Sequence, residues 1–386
     1  MTQHPATRAT RMSVPTPVEG RPVGVPLYQN AIFAFDTAAE LAAAFTGPDQ
    51  AFLYSGYGNP TVRALEDGLA DLEGGVAGLA TGSGMSAINA VLFALLRAGD
   101  HVIVQEALYG GTHAALSGLA ERWGITVSSI PGDDPAELTA ALRPRTRLLV
   151  METIANPTCV VPDLPGLVAA ARAAGVATVV DNTFATPMLC RPLEFGADVV
   201  VHSATKYLGG HHDVIGGVAV FADADLHRRT WRQAVTLGAA MDPFAAWLVI
   251  RGMKTLSLRV AAACSTAAEM ASRLAEHPAV ATVHYPGLAA SPSHARATKL
   301  LDGGYGGTLA LDLAAPHAFL DRLRLILNAG SLGGPETVAM HPATTSHRSV
   351  DPAVLARAGV TAGTVRIALG LEHPDDLWAD IAQALP

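Results

Sequence analysis

From residue 74 to about residue 221 the chain alternates between short apolar runs and segments of helical period. The runs cover 77–80, 101–104, 125–127, 148–151, 176–180, 197–201 and 218–221. Between them, 86–96, 112–123, 135–142 and 164–173 read as helices. Continuous rather than alternating apolar runs, separated by helices, predict a mostly parallel sheet covered on both faces. In such sheets ligands gather at the carboxyl ends of the strands. Thr81, Glu152, Asp181 and Ser203 fall at or near those ends.

The flanking regions are patterned differently. Residues 1 to about 20 are polar and contain Pro5, Pro15 and Pro17, which predicts a loose arm. Residues 21–60 stay irregular apart from a short helix over 37–45. Such an arm is expected to cross to a neighbouring subunit. Asn59-Pro60 marks a turn, and Thr61 is placed to cap a helix over 62–72. Residues 226–256 look helical, and 245–275 reads as one long helix leading to the last domain. Residues 277–386 mix strands (281–285, 308–312, 364–369) with helices (316–326, 374–385), a small α+β domain. Pro316 suits a first helical position. The expected division is an arm over 1–60, the main α/β domain over 61–250 and a C-terminal domain over 251–386.

Composition narrows the function. Half of the 386 residues are hydrophobic, 16% are charged, and the mean hydropathy is +0.29. So apolar a chain is expected to bury much surface, inside itself or between subunits. A net charge of −8 argues against nucleic acid or an anionic membrane as partner. No apolar run approaches the roughly 18 residues of a membrane span. Residues 1–16 lack the apolar core of a signal peptide. Cys159, Cys190 and Cys264 are far apart and form no disulfide framework, which fits a cytoplasmic protein. His211-His212 lacks further ligands, so no metal is expected.

The chemistry centres on Val201-His202-Ser203-Ala204-Thr205-Lys206-Tyr207-Leu208-Gly209-Gly210. An amine just past an apolar strand is costly unless it has a task. One such task is a Schiff base with a carbonyl cofactor. Ser203 and Thr205 could then bond a phosphate beside it. Asp181 ends another apolar run, and Thr81-Gly82-Ser83-Gly84-Met85 leads into a helix start suited to an anion. Taken singly, each has an ordinary reading: a surface lysine, a turn aspartate, a turn glycine. Together they supply an aldehyde partner, a pyridinium partner and a phosphate cradle, the contacts pyridoxal 5'-phosphate (PLP) needs. Tyr109 could stack on a ring or act as an acid or base. Arg366, inside an apolar strand, needs an anion: a substrate carboxylate or a structural acid.

These motifs resemble the Cys/Met-metabolism family of PLP enzymes: cystathionine γ-synthase, cystathionine γ-lyase, methionine γ-lyase and the O-acylhomoserine sulfhydrylases. The resemblance runs from about residue 20 to 385. It is carried by Asn59-Pro60-Thr61 with Leu65-Glu66, Ser83-Gly84-Met85, Tyr109-Gly110-Gly111-Thr112, Glu152 with Asn156-Pro157-Thr158, Asp181-Asn182-Thr183, Ser203-Ala204-Thr205-Lys206-Tyr207, Ser331-Leu332-Gly333-Gly334 and His341-Pro342-Ala343. It implies a fold type I PLP-dependent transferase, aspartate aminotransferase-like, assembled as a homotetramer of two dimers. The domain over 61–250 would bind PLP. Lys206 would be the Schiff-base lysine. Gly84, Met85, Ser203 and Thr205 would hold the phosphate. Tyr109 would stack on the ring, Asp181 meet its nitrogen and Asn156 its hydroxyl. Ser331 and Arg366 would hold the substrate carboxylate, and Tyr54 would arrive from the neighbouring subunit.

The chain also departs from the family. Tyr54-Ser55-Gly56 stands where the family usually has Tyr-Ser-Arg, whose arginine reaches a neighbour's phosphate. Losing that pair should weaken cofactor binding by roughly 1.5–3 kcal/mol unless another cation, such as Arg63, substitutes. Gly111 replaces the cysteine typical of methionine γ-lyases, and Gly330 the glutamate typical of cystathionine γ-lyases. His211-His212 alters the usual Gly-His-Ser-Asp, and 341–347 looks more like the sulfhydrylases. The implied activity is γ-elimination or γ-replacement on a γ-substituted amino acid, by a C–S lyase or synthase. Alternatives are an O-acylhomoserine sulfhydrylase, an enzyme using a bulkier γ-substituted substrate, an aminotransferase and a non-catalytic PLP-binding regulator.

Overall fold

The computed structural model describes residues 4–10, 22–46, 51–348 and 350–386. Its centre is a sheet of seven strands: β1 (Ala77–Thr81), β2 (His101–Gln105), β3 (Thr126–Ile130), β4 (Thr146–Glu152), β5 (Ala177–Asp181), β6 (Val199–Ser203) and β7 (Gly217–Phe221). Their order is β1-β7-β6-β5-β4-β2-β3. β2 to β6 run parallel, and β7 is antiparallel to both neighbours.

The unbroken apolar runs have a direct cause. Along β4, Leu149 and Met151 enter one core layer while Leu148 and Val150 enter the other. Helices Pro60–Glu73, Leu164–Ala173 and Pro243–Met253 cover the first face; Gly84–Leu95, Gly110–Trp123 and Ala224–Thr236 cover the second. A strand buried on both sides favours apolar residues at both alternating sets of positions. The edge strand β3 is the exception, with exposed Thr126, Val127 and Ser129.

A second sheet follows, from β8 (Val280–His284), β9 (Thr308–Leu313), β10 (Leu327–Asn328), β11 (Val338–Met340) and β12 (Thr364–Ala368), in the order β10-β11-β12-β9-β8. Helices Leu256–Ala275, Pro316–Arg322 and Pro374–Ala384 pack on it. β10 and β11 are too short for any periodicity to announce them.

Three expectations need correction. The expected loose arm is in part a helix, Pro5–Thr10, lying on helix Pro60–Glu73: Ala9 is buried and Arg8 pairs with Asp71 at 3.1 Å. Residues 1–3 and 11–21 of that arm lie outside the described residues. Residues 25–28 are tied to their own chain, with Trp247 Nε1 donating to the Val25 carbonyl at 3.1 Å and Tyr28 N to Thr61 Oγ1 at 2.9 Å. Thr61 is therefore not the helix cap. Asn59 is, accepting from Thr61 N at 2.9 Å. The long helix expected over 245–275 is two helices, Pro243–Met253 and Leu256–Ala275. Buried Arg259 sits at the break, donating to the Gly252 carbonyl at 2.7 Å and to the Tyr207 carbonyl at 2.8 Å. No described helix is long and apolar enough to cross a membrane.

Candidate active site

The carboxyl ends of β4, β5 and β6 open into a cavity of about 720 Å³, roofed by loops of the second sheet. Gly84, Met85, Tyr109, Asn156, Asp181, Ser203, Thr205, Lys206, Ser331 and Arg366 all line it. Of the residues expected in the site, Tyr54 alone is elsewhere on this chain. It is 46% exposed and packs edge-on against Tyr57, with ring centroids 5.3 Å apart.

Lys206 follows β6 in a turn closed by Lys206 N donating to the Ser203 carbonyl at 3.1 Å. Its Nζ donates to Ser331 Oγ at 2.7 Å. Burial, reinforced by the Arg366 guanidinium, lowers the amine from the ordinary lysine range to about 8. A measurable free-base fraction therefore exists near neutral pH.

Asp181 and Glu152 sit side by side in the register of β5 and β4. Burial raises the Asp181 carboxyl, opposed by hydrogen bonds from Thr183, whose N reaches Oδ1 at 2.9 Å. Glu152 is raised well above the usual carboxylate range, first by burial and then by Asp181. Two neighbouring carboxyls in a dry site do not both ionise easily. Glu152 had a motif position but no assigned task in the sequence. Its oxygens accept from Tyr109 N at 2.6 Å and Asn156 N at 2.7 Å, so one side chain fixes both residues.

At the other end, helix Gly84–Leu95 starts beside Ser203, with Ser83 as its cap. A Cβ added to Gly84 would lie 2.9 Å from Ser203 Cβ, so only glycine lets the helix start approach β6 this closely. The Ser203 hydroxyl-bearing side chain therefore lies next to a helix start, whose first main-chain N–H groups suit an anion. The Thr205 hydroxyl is partly engaged, accepting from Gly216 N at 3.0 Å.

Arg366, on β12, is 3% exposed. It donates to Asn156 Oδ1 at 2.9 Å and the Ser331 carbonyl at 2.7 Å, while its Nε has no partner among the described residues. Burial lowers its guanidinium to about 10, still a cation at neutral pH. Asn156 thus orients Arg366 through Oδ1. The donor set, the glycine-lined cradle and the orphaned Nε together fit PLP plus an amino-acid carboxylate.

The sequence did not single out His202 and Glu73. His202 Nε2 lies 2.6 Å from Glu73 Oε1, both are buried, and Asn182 Nδ2 donates to the same oxygen at 2.8 Å. Only contact across the sheet joins residues so far apart in sequence. Arg63 does not take the place of the arginine absent at Gly56 within this chain. It pairs with Glu66 at 3.1 Å and lines a separate cavity of about 280 Å³ beside Phe45 and Trp231.

A family model described as Cys/Met metabolism PLP-dependent enzyme matches residues 9–386. The chain is 42% identical to an L-methionine gamma-lyase of Pseudomonas putida, over 98% of this chain and 96% of that one. It is 39% identical to an O-succinylhomoserine sulfhydrylase of Pseudomonas aeruginosa, over 94% and 90%. Its structure superposes on cystathionine gamma synthase from Xanthomonas oryzae pv. oryzae with a TM-score of 0.93 at 36% identity, covering 100% of this chain and 98% of that one.

Proposed function

The chain belongs to the Cys/Met-metabolism PLP-dependent enzymes, and on that footing we propose that it removes or exchanges the substituent at Cγ of an amino acid of sulfur metabolism. The observation that carries this reading is the Lys206 amine, 2.7 Å from Ser331, in one cavity with a carboxyl at Asp181 and a guanidinium at Arg366. PLP, when bound, supplies an aldehyde that captures amines and a ring that draws electrons from Cα.

The residues divide the remaining work. Lys206, lowered to about 8, takes a proton from Cα, gives it up toward the carbon that had been the aldehyde carbon, and as a free amine again takes a proton from Cβ. Burial raises the Asp181 carboxyl, and a protonated ring nitrogen beside it would favour its charged form. Tyr109, held by Glu152, stacks on the ring and donates a proton toward the leaving γ-substituent. Arg366 binds the α-carboxylate, with Nε as its unused donor, and Ser331 Oγ completes that site. Ser203, Thr205, Gly84 and Met85 hold the phosphate. Tyr54 acts in the cavity of a second copy.

One observation favours a substrate larger than methionine. A Cβ added to Gly330 would meet nothing within 4 Å, so the cavity has spare room along the wall that Gly330 forms.

The test is product analysis of the PLP-loaded enzyme with methionine, cystathionine and O-acylhomoserine, each with and without a thiol. Release of 2-oxobutyrate without thiol identifies elimination, and a new thioether identifies replacement. No turnover of any γ-substituted amino acid would end the reading.

A further inference from the structure

The proposed chemistry leaves one cation of the cavity without a task. Lys206, Arg348 and Arg366 are the cationic residues lining it, against Glu152 and Asp181. Lys206 is engaged with Ser331, and Arg366 is buried between Asn156 and Ser331. Arg348 is exposed, and its side chain makes one hydrogen bond among the described residues, from Nη1 to the Thr345 carbonyl at 3.1 Å. No described carboxylate forms an ion pair with it.

Its position is set by packing. The loop bearing Arg348 lies against the start of helix Gly110–Trp123, next to Tyr109. A Cβ added to Gly110 would strike the Ser346 carbonyl oxygen and lie 3.6 Å from His347 Cα. His347 is itself buried, so the loop is anchored directly before Arg348. The guanidinium thus stands on the rim of a cavity that is open at Gly330. A guanidinium with unused donors is built to take a carboxylate in the plane of its fork. On a chain of net charge −8, the group is not part of any general attraction for anions.

We propose that Arg348 is a specificity-determining residue that receives a carboxylate at the far end of the γ-substituent, so that the preferred substrate carries a second acid group beyond Cγ. The word substrate rests on the γ-chemistry proposed above; the anion subsite does not.

The test compares PLP-loaded wild type with Arg348→Gln and Arg348→Lys. Two homoserine esters serve as substrates, succinyl and acetyl, alike at the reacting carbon and different in the distal carboxylate. In Arg348→Gln, kcat/KM for the succinyl ester should fall about 10- to 100-fold, the effect of one charge-assisted pair. The acetyl ester should change by less than about twofold, and Arg348→Lys should recover part of the loss. Inhibitor binding gives a second readout that needs no turnover. Wild type should bind straight-chain dicarboxylates of some length more tightly than the matching monocarboxylates, and Arg348→Gln should lose that preference. Equal treatment of both esters by wild type and variant, with no dicarboxylate preference, would overturn the inference and leave the γ-chemistry standing. A preference that survives Arg348→Gln would overturn it as well. Turnover of no γ-substituted amino acid, methionine and cystathionine included, with an Arg348-dependent preference for dicarboxylates, would remove the γ-chemistry and keep the subsite.

Discussion

One side of the cavity is made of strand ends, with Glu152, Asp181 and Ser203; the other is made of loops from the second sheet, residues 330–332 and 344–348. The strand-end wall is interlocked. Glu152 bonds two main-chain amides, Asp181 is held by Thr183, and Gly84 allows no added atom. The loop wall is open at Gly330 and exposed at Thr344, Thr345 and Arg348. A rigid wall suits a step that every substrate shares, whereas a loose wall suits the choice among substrates. Relatives of similar identity carry different activities, a methionine gamma-lyase and an O-succinylhomoserine sulfhydrylase, so family membership alone does not fix the choice of substrate.

If that division is right, changes to the two walls should differ in kind. Lys206→Ala should lower turnover of any γ-substituted amino acid by about 10³-fold or more, because one group serves as both nucleophile and base. Product assays on PLP-reconstituted protein would show it, and undiminished turnover would break the comparison outright. Next in size is a pH effect. Only the free amine captures an aldehyde, so capture of PLP by the apo-protein should be slow below the Lys206 pKa of about 8 and level off above it. Between pH 6 and 9 the rate should rise about 100-fold, the change in free-base fraction over that interval. Stopped-flow absorbance would follow it, and a rate still climbing about tenfold per pH unit at pH 9 would show that the amine is not shifted. Gly84→Ala should then weaken PLP binding about tenfold or more, since the added carbon forces the helix start away from Ser203. Equilibrium titration would measure it. The smallest effect should come from the loop wall. Gly330→Ala should change stability by less than about 0.5 kcal/mol, as expected of an uncrowded surface site. Its kcat/KM ratio between long and short γ-substituents should nevertheless move, and an unchanged ratio would mean that the open side does not select.

The same contrast governs how much the sequence disclosed. The strands and Lys206, Asp181 and Ser203 were legible because burial on both faces leaves continuous apolar runs, and the chemistry sits where those runs stop. Thr61 was misjudged as a cap because two neighbouring residues can both cap, and contact with Tyr28 and Pro26 decided between them. The break between Met253 and Leu256 carries no proline to mark it; a buried arginine from the following turn sits at it. Glu73 and His202 were unreadable because their partnership is tertiary. An arginine in a polar loop, as Arg348 is in the sequence, carries no mark of a task; only the fold brings that loop to the cavity.

Ser331 holds its backbone at φ 77, in the left-handed region, where a residue other than glycine costs about 1–2 kcal/mol. Arg366 grips its carbonyl, and its hydroxyl meets the Lys206 amine. Selection for heat resistance alone would therefore push this position toward glycine. The hardier protein so obtained would have given up its grip on the lysine, so durability and turnover are traded against each other at a single dihedral angle.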